Sequence, residues 1–281
     1  MTALAGKTAV ITGATSGIGV DVARSFVAEG AQVLLAGRRK EHGDAVAEML
    51  GSAATFVQVD VSIEDEVAAL VTRALDQYGA LDIVVNNAGA PATLCGMADV
   101  DIDAFRRVLD VNLYGPLYAI KHAAAHMQSR GQGSIINIGS VAGRSAAVSG
   151  LDYSTSKAAL QHLTRWAAME LGEHGVRVNC VSPGFIATGI FAKAAGLSDA
   201  DAERSAARLA AEFAPELAKV QPVSRPGVGA DVAAAVVFLA SDAARYINGH
   251  DLALDGGMTV RQPYSVMRAQ RTRIADIVAG R

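Results

Sequence analysis

The chain has 281 residues, of which 51% are hydrophobic and 19% charged, and its formal net charge is −3. This composition allows a large buried core, argues against a disordered chain, and gives no reason to expect nucleic acid or an anionic membrane as a partner. Two cysteines, Cys95 and Cys180, are too few for a disulfide framework or a structural zinc site. No apolar run reaches signal-peptide length or the ~20 residues of a membrane span, so a soluble cytoplasmic protein is expected.

A glycine-rich turn joins the first predicted strand to the first predicted helix. Residues 8–12 are apolar and β-branched, which is typical of a buried strand, and a helical pattern runs over residues 20–29. Between them lie Gly13, Gly17 and Gly19. Glycines let a backbone approach a pyrophosphate closely, and a helix start offers N–H groups and the positive end of its dipole. The spacing is not the usual G-x-G-x-x-G, but the position predicts a phosphate cradle; a turn without a ligand is the alternative.

Two arginines follow the second predicted strand, residues 32–36. In a dinucleotide-binding fold, a carboxylate at this place holds the ribose hydroxyls of NAD, whereas an arginine accommodates the 2′-phosphate of NADP. Arg38 and Arg39 therefore favour NADP, with NAD as the alternative cofactor. The other interpretation is a pair of solvated surface charges.

Helices alternate with strands along the rest of the chain. Further strands are predicted at residues 55–59, 81–85, 134–138, 176–181 and 251–254, and helices at 41–50, 62–78, 103–127, 158–171 and 231–240. This alternation predicts an α/β fold with a doubly wound parallel sheet and helices on both faces. Residues 185–222 break the rhythm; as an insertion after a strand's carboxyl end they are a candidate lid, or else a peripheral helical excursion.

Two histidines in the helix at 103–127 have the spacing of a metal-binding pair. However, His122 is followed by alanine rather than the glutamate of H-E-x-x-H, and no third ligand is evident, so no metal is expected. Asn112 lies in the same helix, where a buried amide would need a hydrogen-bonding partner.

A tyrosine and a lysine four residues apart, Tyr153 and Lys157, lie on one face of a predicted helix. A free tyrosine titrates near ~10, and a cation beside it favours the phenolate and lowers its pKa. Proton transfer works best when the pKa lies near the operating pH, so the pair is a candidate general acid/base. Ser140 follows a predicted strand, at the edge where parallel sheets bind ligands. The spacing alone also fits an ordinary surface pair.

Together these features resemble the short-chain dehydrogenase/reductase family in its compact single-domain form. The resemblance covers residues 5 to about 260 and rests on Thr12-Gly13-x-x-x-Gly17-x-Gly19, Asp60, Asn86-Asn87-Ala88-Gly89, Asn112, Ser140, Tyr153 with Lys157, and Pro183-Gly184 with Thr188. It implies a Rossmann-like seven-stranded sheet in one domain over residues 1–260, and an oxidoreductase that transfers a hydride between a nicotinamide cofactor and a secondary alcohol or ketone. A 3-oxoacyl-thioester reductase of the same family and a non-catalytic dinucleotide sensor are the alternatives.

The resemblance also implies the site. Asn112, Ser140, Tyr153 and Lys157 form the catalytic set: the serine orients the substrate oxygen, the tyrosine transfers the proton, the lysine lowers the tyrosine pKa and holds the nicotinamide ribose, and the asparagine supports a water chain. The expected cofactor contacts are Gly13, Ser16, Gly17, Ile18, Gly19, Arg38, Arg39, Asp60, Val61, Asn87, Ala88, Gly89, Val111, Tyr153, Lys157, Pro183, Gly184, Ile186 and Thr188. Many NADP-using relatives carry a basic residue at the position of Ser16, so Arg38 and Arg39 must hold the phosphate unaided.

The expected substrate pocket is mostly apolar, which favours an uncharged or weakly polar alcohol or ketone. Its residues are Leu94, Ser140, Val141, Ala142, Ala146, Phe185, Ile190 and Phe191. Arg144 is close in sequence and is a candidate for selecting a carboxylate instead.

The C-terminal extension, residues 261–281, holds five arginines. Met267, Ile274 and Val278 form an apolar stripe, so a helix is predicted over residues 264–279. The family commonly forms tetramers through its long helices, so a homotetramer or homodimer is expected, with this helix on the oligomer. A nucleic-acid arm and a membrane-surface helix are less favoured because Tyr264 is the segment's only aromatic residue.

Overall fold

The structure is a computed structural model that describes residues 2–146, 148–190, 192 and 197–279. Seven strands form one parallel sheet in the order β3-β2-β1-β4-β5-β6-β7. The strands are β1 Thr8–Thr12, β2 Gln32–Gly37, β3 Ala54–Gln58, β4 Ile83–Asn86, β5 Gly133–Ile138, β6 Val176–Pro183 and β7 Asp251–Leu254. The helices are α1 Ile18–Ala28, α2 Lys40–Leu50, α3 Glu64–Tyr78, α4 Ile102–Leu109, α5 Gly115–Arg130, α6 Leu151–Gly172, α7 Asp199–Val220, α8 Gly229–Ala240 and α9 Tyr264–Val278. The predicted doubly wound α/β fold is confirmed.

Both faces of the sheet are buried, which explains why the strands read as continuous apolar runs. Successive strand residues point to opposite faces: Ile11 and Leu35 join the cluster that α1 and α8 cover, whereas Val10 and Leu34 join the cluster under α3, α5 and α6. The strand order reverses between β1 and β4, which are neighbours in the sheet. Ligands in such sheets bind at the carboxyl ends of the strands beside this reversal.

The prediction of a single helix over residues 103–127 is wrong in one respect. A π-helical segment, Asp110–Tyr114, separates α4 from α5. Pro116 stands in the first turn of α5 and has no N–H to continue a regular ladder. Gly115 packs against Val61, where an added Cβ would lie 3.1 Å from the valine side chain. The wider turn buries Asn112 completely, and such segments often occur at functional sites.

The insertion after β6 contains α7, whose start is capped by Ser198: its hydroxyl accepts a hydrogen bond from the amide of Asp201 at 3.2 Å. Phe213 of α7 stacks on Phe185 with ring centroids 5.0 Å apart. The helix therefore lies against the segment that leaves the carboxyl end of β6. The described residues include no helix long and apolar enough to cross a membrane.

Candidate active site

The glycine turn after β1 packs closely against the residues that follow β4. The Thr12 hydroxyl accepts hydrogen bonds from the amides of Asn87 and Ala88 at 3.0 and 3.1 Å. The Asn87 side chain donates to the carbonyls of Thr12 and Gly13 at 2.9 and 3.1 Å. Gly13 has φ 66°, and a Cβ there would lie 2.7 Å from the Cα of Ala88. A Cβ at Gly19 would collide with the Gly13 carbonyl and the Asn87 amide.

The start of α1 is left open to a ligand by this packing. Gly17 precedes the helix with φ 55° and ψ −135°, and no side chain among the described residues caps the helix start. Its N–H groups and dipole therefore favour an anion. Thr188 lies beside Gly17, 3.6 Å from where a Cβ would be, so the segment after β6 crosses the turn. Such a cradle fits the pyrophosphate of a dinucleotide.

The two predicted phosphate-binding arginines make different contacts. Arg39 donates to the carbonyl and the hydroxyl of Thr15 at 3.3 and 3.0 Å, so it lies against the glycine turn. Arg38 is 75% exposed, and its guanidinium lies 3.9 Å from the carboxylate of Asp60. Burial opposes ionisation of Asp60, but hydrogen bonds from Ser62 and the Arg38 charge outweigh it and lower the pKa of this carboxyl. The exposed cation at the end of β2 is thus available to a ligand.

The other predicted cofactor residues lie at the carboxyl ends of the strands or beside them. Ser16 and Ile18 flank Gly17, Asp60 and Val61 follow β3, Asn87, Ala88 and Gly89 follow β4, Val111 is in the π-helical segment, Pro183 and Gly184 are at the end of β6, and Ile186 and Thr188 come next. Ile186 also forms a β-bridge with Gly227, so this segment pairs with the residues that precede α8.

Asn112 links the loop after β4 to the helix that carries Tyr153. Its side-chain oxygen accepts from the amide of Ala90 at 2.7 Å, and its nitrogen donates to the hydroxyl of Ser156 at 3.1 Å. Ser156 in turn donates to the backbone carbonyl of Tyr153 at 2.7 Å. The buried amide thus has the partners that its burial requires.

Ser140, Tyr153 and Lys157 are brought together at the end of β5. The Ser140 side chain lies close enough to the Tyr153 phenol to lower its pKa. The Lys157 ammonium lies 5.5 Å from the centre of the Tyr153 ring and donates to the carbonyl of Ile138 at 2.7 Å. A phenol, a hydroxyl and a buried cation therefore converge at the edge where a ligand would bind. This arrangement can orient an oxygen atom and exchange a proton with it.

The pKa of Tyr153 differs from the sequence expectation. Burial raises it above the ordinary value, and the neighbouring Ser140 side chain opposes this effect only in part. Burial also lowers the pKa of Lys157 to about 8, against a smaller opposing effect of Cys180. Burial is the larger influence on the tyrosine pKa, although the Lys157 ammonium lies over the ring, 5.5 Å from its centre, and donates to the Ile138 carbonyl. The phenol is thus neutral at neutral pH.

The predicted substrate residues are only partly gathered around this point. Val141 and Ala142 are buried in the turn after Ser140, and Phe185 is half-buried against Phe213. Leu94 is 79% exposed. Ala146 is exposed and Ile190 half-buried, whereas Phe191 lies outside the described residues. Phe213 was not expected from sequence, because its helical segment carried no signal for the stack with Phe185.

Arg144 does not face a substrate. Its guanidinium donates to the carboxylate of Asp251, at the start of β7, at 2.7 Å, and to the carbonyl of the same residue. The idea that Arg144 selects a carboxylate is therefore wrong, because its guanidinium is already paired with the carboxylate of Asp251.

The two histidines of α5 have separate partners. His122 lies 3.1 Å from the carboxylate of Glu64, which also accepts from Lys121. His126 accepts from the amide of Leu81 at 3.2 Å. In the described part of the chain, no cluster of three or more histidine, cysteine or acidic residues could hold a metal.

Comparisons with known proteins identify the family. Residues 13–259 match the family model described as Enoyl-(Acyl carrier protein) reductase. Momilactone A synthase of Oryza sativa subsp. japonica is 43% identical over 263 residues, covering 92% of this chain and 91% of that protein. (+)-Borneol dehydrogenase 2 of Salvia officinalis is 41% identical over 259 residues, covering 91% and 90%. The crystal structure of a short-chain type dehydrogenase/reductase from Mycobacterium marinum aligns with a TM-score of 0.77 and 33% identity over 91% of this chain and 96% of that one. The chain therefore belongs to the short-chain dehydrogenase/reductase family and is a nicotinamide-dependent oxidoreductase that acts on CH–OH groups.

Proposed function

We propose that Tyr153 is the general acid/base of a dehydrogenase that interconverts a secondary alcohol and a ketone. The observation that carries this proposal is the convergence of the Ser140 hydroxyl, the Tyr153 phenol and the Lys157 ammonium at the end of β5. Ser140 holds and orients the substrate oxygen. Tyr153 donates its proton to that oxygen during reduction and takes it back during oxidation. A bound nicotinamide supplies or accepts the hydride.

Lys157 and Asn112 support this proton transfer. With a pKa of about 8, Lys157 carries its positive charge at neutral pH and stabilises the phenolate that oxidation requires. Its other role is to bind the ribose hydroxyls of the nicotinamide. Asn112 holds the loop after β4 and the start of α6 in register through Ala90 and Ser156.

The cofactor that we propose is NADP. The glycine turn and the open start of α1 fit a pyrophosphate, since no side chain among the described residues caps the helix start and its N–H groups favour an anion. The exposed guanidinium of Arg38 follows the end of β2, where NAD-binding proteins have a carboxylate that holds the ribose hydroxyls. A guanidinium binds phosphate by charge-assisted hydrogen bonds. Titrations with NADP and NAD decide the matter, and a lower Kd for NAD would refute this choice.

The substrate that we propose is an uncharged secondary alcohol, for which borneol is the first probe. Two points support it: the 41% identical relative from Salvia officinalis is named a borneol dehydrogenase, and Arg144 is held by Asp251 and is not available for a carboxylate. Formation of reduced nicotinamide should be measured with borneol and with a matched set of acyclic and acidic alcohols. The same assay with an acetoacetyl thioester tests the thioester-reductase alternative, and turnover of that thioester alone would refute the alcohol assignment.

We further propose that the enzyme is a cytoplasmic homotetramer or homodimer. Trp166 and Met169 of α6, 58% and 61% exposed, and the apolar residues of α9 support an assembly, because such surface is usually covered. Sedimentation of the purified chain measures the oligomeric state, and fractionation of the source cells measures the location.

A further inference from the structure

A closed ring of polar groups surrounds the turn that carries Ser140. The side-chain amide of Gln161 donates to the Ser140 carbonyl at 2.8 Å and to the Ser182 hydroxyl at 3.0 Å. Ser182 donates to one oxygen of the Asp251 carboxylate at 2.5 Å. The other oxygen accepts from Arg144 at 2.7 Å, and Arg144 ends the turn that begins at Ser140. The ring thus begins and ends within one turn, at Ser140 and at Arg144.

Gln161 and Ser182 form the buried side of the ring, whereas the Arg144–Asp251 pair lies nearer the surface, with side-chain exposures of 32% and 12%. Gln161 and Ser182 are 4% and 0% exposed. A polar group buried without a partner is costly, which favours the single arrangement in which each donor is satisfied. Gln161 also contacts the turn sterically: a Cβ added at Gly143 would lie 2.8 Å from its side-chain oxygen. The amide therefore fixes the backbone of Ser140 from the helix that carries Tyr153.

We propose that Gln161 is a positioning residue that aims the Ser140 hydroxyl at the substrate oxygen. It follows Lys157 by one helical turn, so one face of α6 carries both the lysine and the support of the serine. The proposal rests on the proposed function of Ser140. Its effect is on turnover, because a displacement of the reacting groups by about 1 Å can lower the rate ~10²-fold.

Thr164 offers a matched control for a purely structural role. It is buried at 0% exposure on the same helix, accepts from Asn137 at 2.9 Å and donates to the carbonyl of Leu160. Neither of these hydrogen bonds reaches the Ser140 turn. Thr164→Val therefore removes a buried polar link of α6 without releasing the serine.

The experiment measures borneol oxidation and cofactor Kd for Gln161→Leu in the wild-type and Ser140→Ala backgrounds. We expect Gln161→Leu to lower kcat by about 10- to 10²-fold with an unchanged cofactor Kd. In the Ser140→Ala background the further loss should be less than about twofold, because coupled residues are not additive. Gln161→Glu, which replaces the donor by an acceptor facing the Ser140 carbonyl, should lose as much as Gln161→Leu. Thr164→Val should keep its kcat.

Equal losses in both backgrounds, equal loss in Thr164→Val, or full activity of Gln161→Glu would overturn the proposal. If Gln161→Leu does not fold, Ser182→Ala replaces it, because this variant removes the next hydrogen bond of the ring. Its loss of kcat should likewise be smaller in the Ser140→Ala background than in the wild-type background. If borneol is not oxidised, or Ser140→Ala keeps full turnover, the proposed function fails instead. In that case, amide hydrogen exchange tests the positioning role of Gln161 without an activity assay. Gln161→Leu should speed exchange in residues 140–145 more than Thr164→Val does. Equal exchange rates in the two variants would refute the positioning role.

Discussion

Tyr153 carries the proton-transferring oxygen of the proposed active site. The half-buried tyrosine lies beside the Ser140 side chain, and the buried Lys157 ammonium lies 5.5 Å from the centre of its ring. The spacing of Tyr153 and Lys157 was sufficient to predict that the two side chains lie on one helix face. Their pKa values could not be predicted, because they depend on burial by β5 and its following turn.

Tyr153→Phe tests the proton-transfer role directly. The ring and its packing remain, but the exchanging oxygen is lost, so turnover should fall by about 10²–10⁴-fold, the usual contribution of general acid/base catalysis. Cofactor binding, measured by titration, should be unchanged. Turnover within a few-fold of wild type would show that another group moves the proton.

The raised pKa of Tyr153 determines the expected pH dependence. The phenol is neutral at neutral pH, so the acid needed for ketone reduction is already present, whereas the phenolate needed for alcohol oxidation is scarce. Oxidation should therefore rise as the pH rises toward the tyrosine pKa, and reduction should fall there. The measurement is kcat/KM in both directions across the alkaline range. Oxidation that is already maximal at acidic pH would contradict this order.

Arg38 and Arg39 provide a matched pair for cofactor choice. Arg38→Ala removes the exposed cation and should weaken NADP binding by roughly tenfold or more, the factor of one charge-assisted hydrogen bond, with little effect on NAD. Arg39→Ala breaks the contact with Thr15 of the glycine turn and should weaken both cofactors. Equal losses for NADP and NAD in Arg38→Ala would place the 2′-phosphate elsewhere.

At the scale of elements, two neighbouring segments were predictable to different degrees. The strand, glycine turn and helix at the start of the chain follow from local pattern, and the structure has them nearly at the predicted residues. The π-helical segment at Asp110–Tyr114 was not predictable from the periodicity. It is followed by Gly115, which packs against Val61, a residue far away in the chain.

Gly19→Ala tests the packing between the glycine turn and the end of β4. The added methyl would collide with the Gly13 carbonyl and the Asn87 amide, so the variant should lose about 1–3 kcal/mol of unfolding free energy through overpacking. It should also bind cofactor weakly, because the cradle must widen. Gly96→Ala, whose nearest neighbour is the flexible end of Asp99, is the control and should change stability by less than about 0.5 kcal/mol. Thermal melts and titrations measure both, and a neutral Gly19→Ala would contradict the close fit.

On the scale of the whole molecule, α9 is the element that the rest of the fold explains least. The predicted helix is confirmed as Tyr264–Val278, and Ile274 and Val278 of the predicted apolar stripe are 60% and 83% exposed. Met267, in contrast, is half-buried. Exposed apolar residues on a helix are usually covered by a partner surface, which another subunit would supply.

Deleting residues 262–281 should therefore lower the oligomeric state or weaken the assembly while the sheet stays folded. Sedimentation measures the assembly and circular dichroism the fold. A point variant, Ile274→Ser with Val278→Ser, should act in the same direction without shortening the chain. An unchanged oligomer with unchanged kinetics in both variants would show that α9 has no role in assembly.

Local sequence patterns were enough to predict the order of strands and helices, the glycine turn, and the tyrosine–lysine pair, because each depends on residues close together in the chain. The family assignment drawn from these motifs is confirmed by the matched relatives and structures. Two contacts became visible only in the folded protein: Arg144 pairs with Asp251, 107 positions away, and Gln161 donates to the Ser140 carbonyl. The same holds for the raised pKa of Tyr153. Burial and long-range hydrogen bonds depend on which segments the fold places side by side, and no local pattern specifies those neighbours.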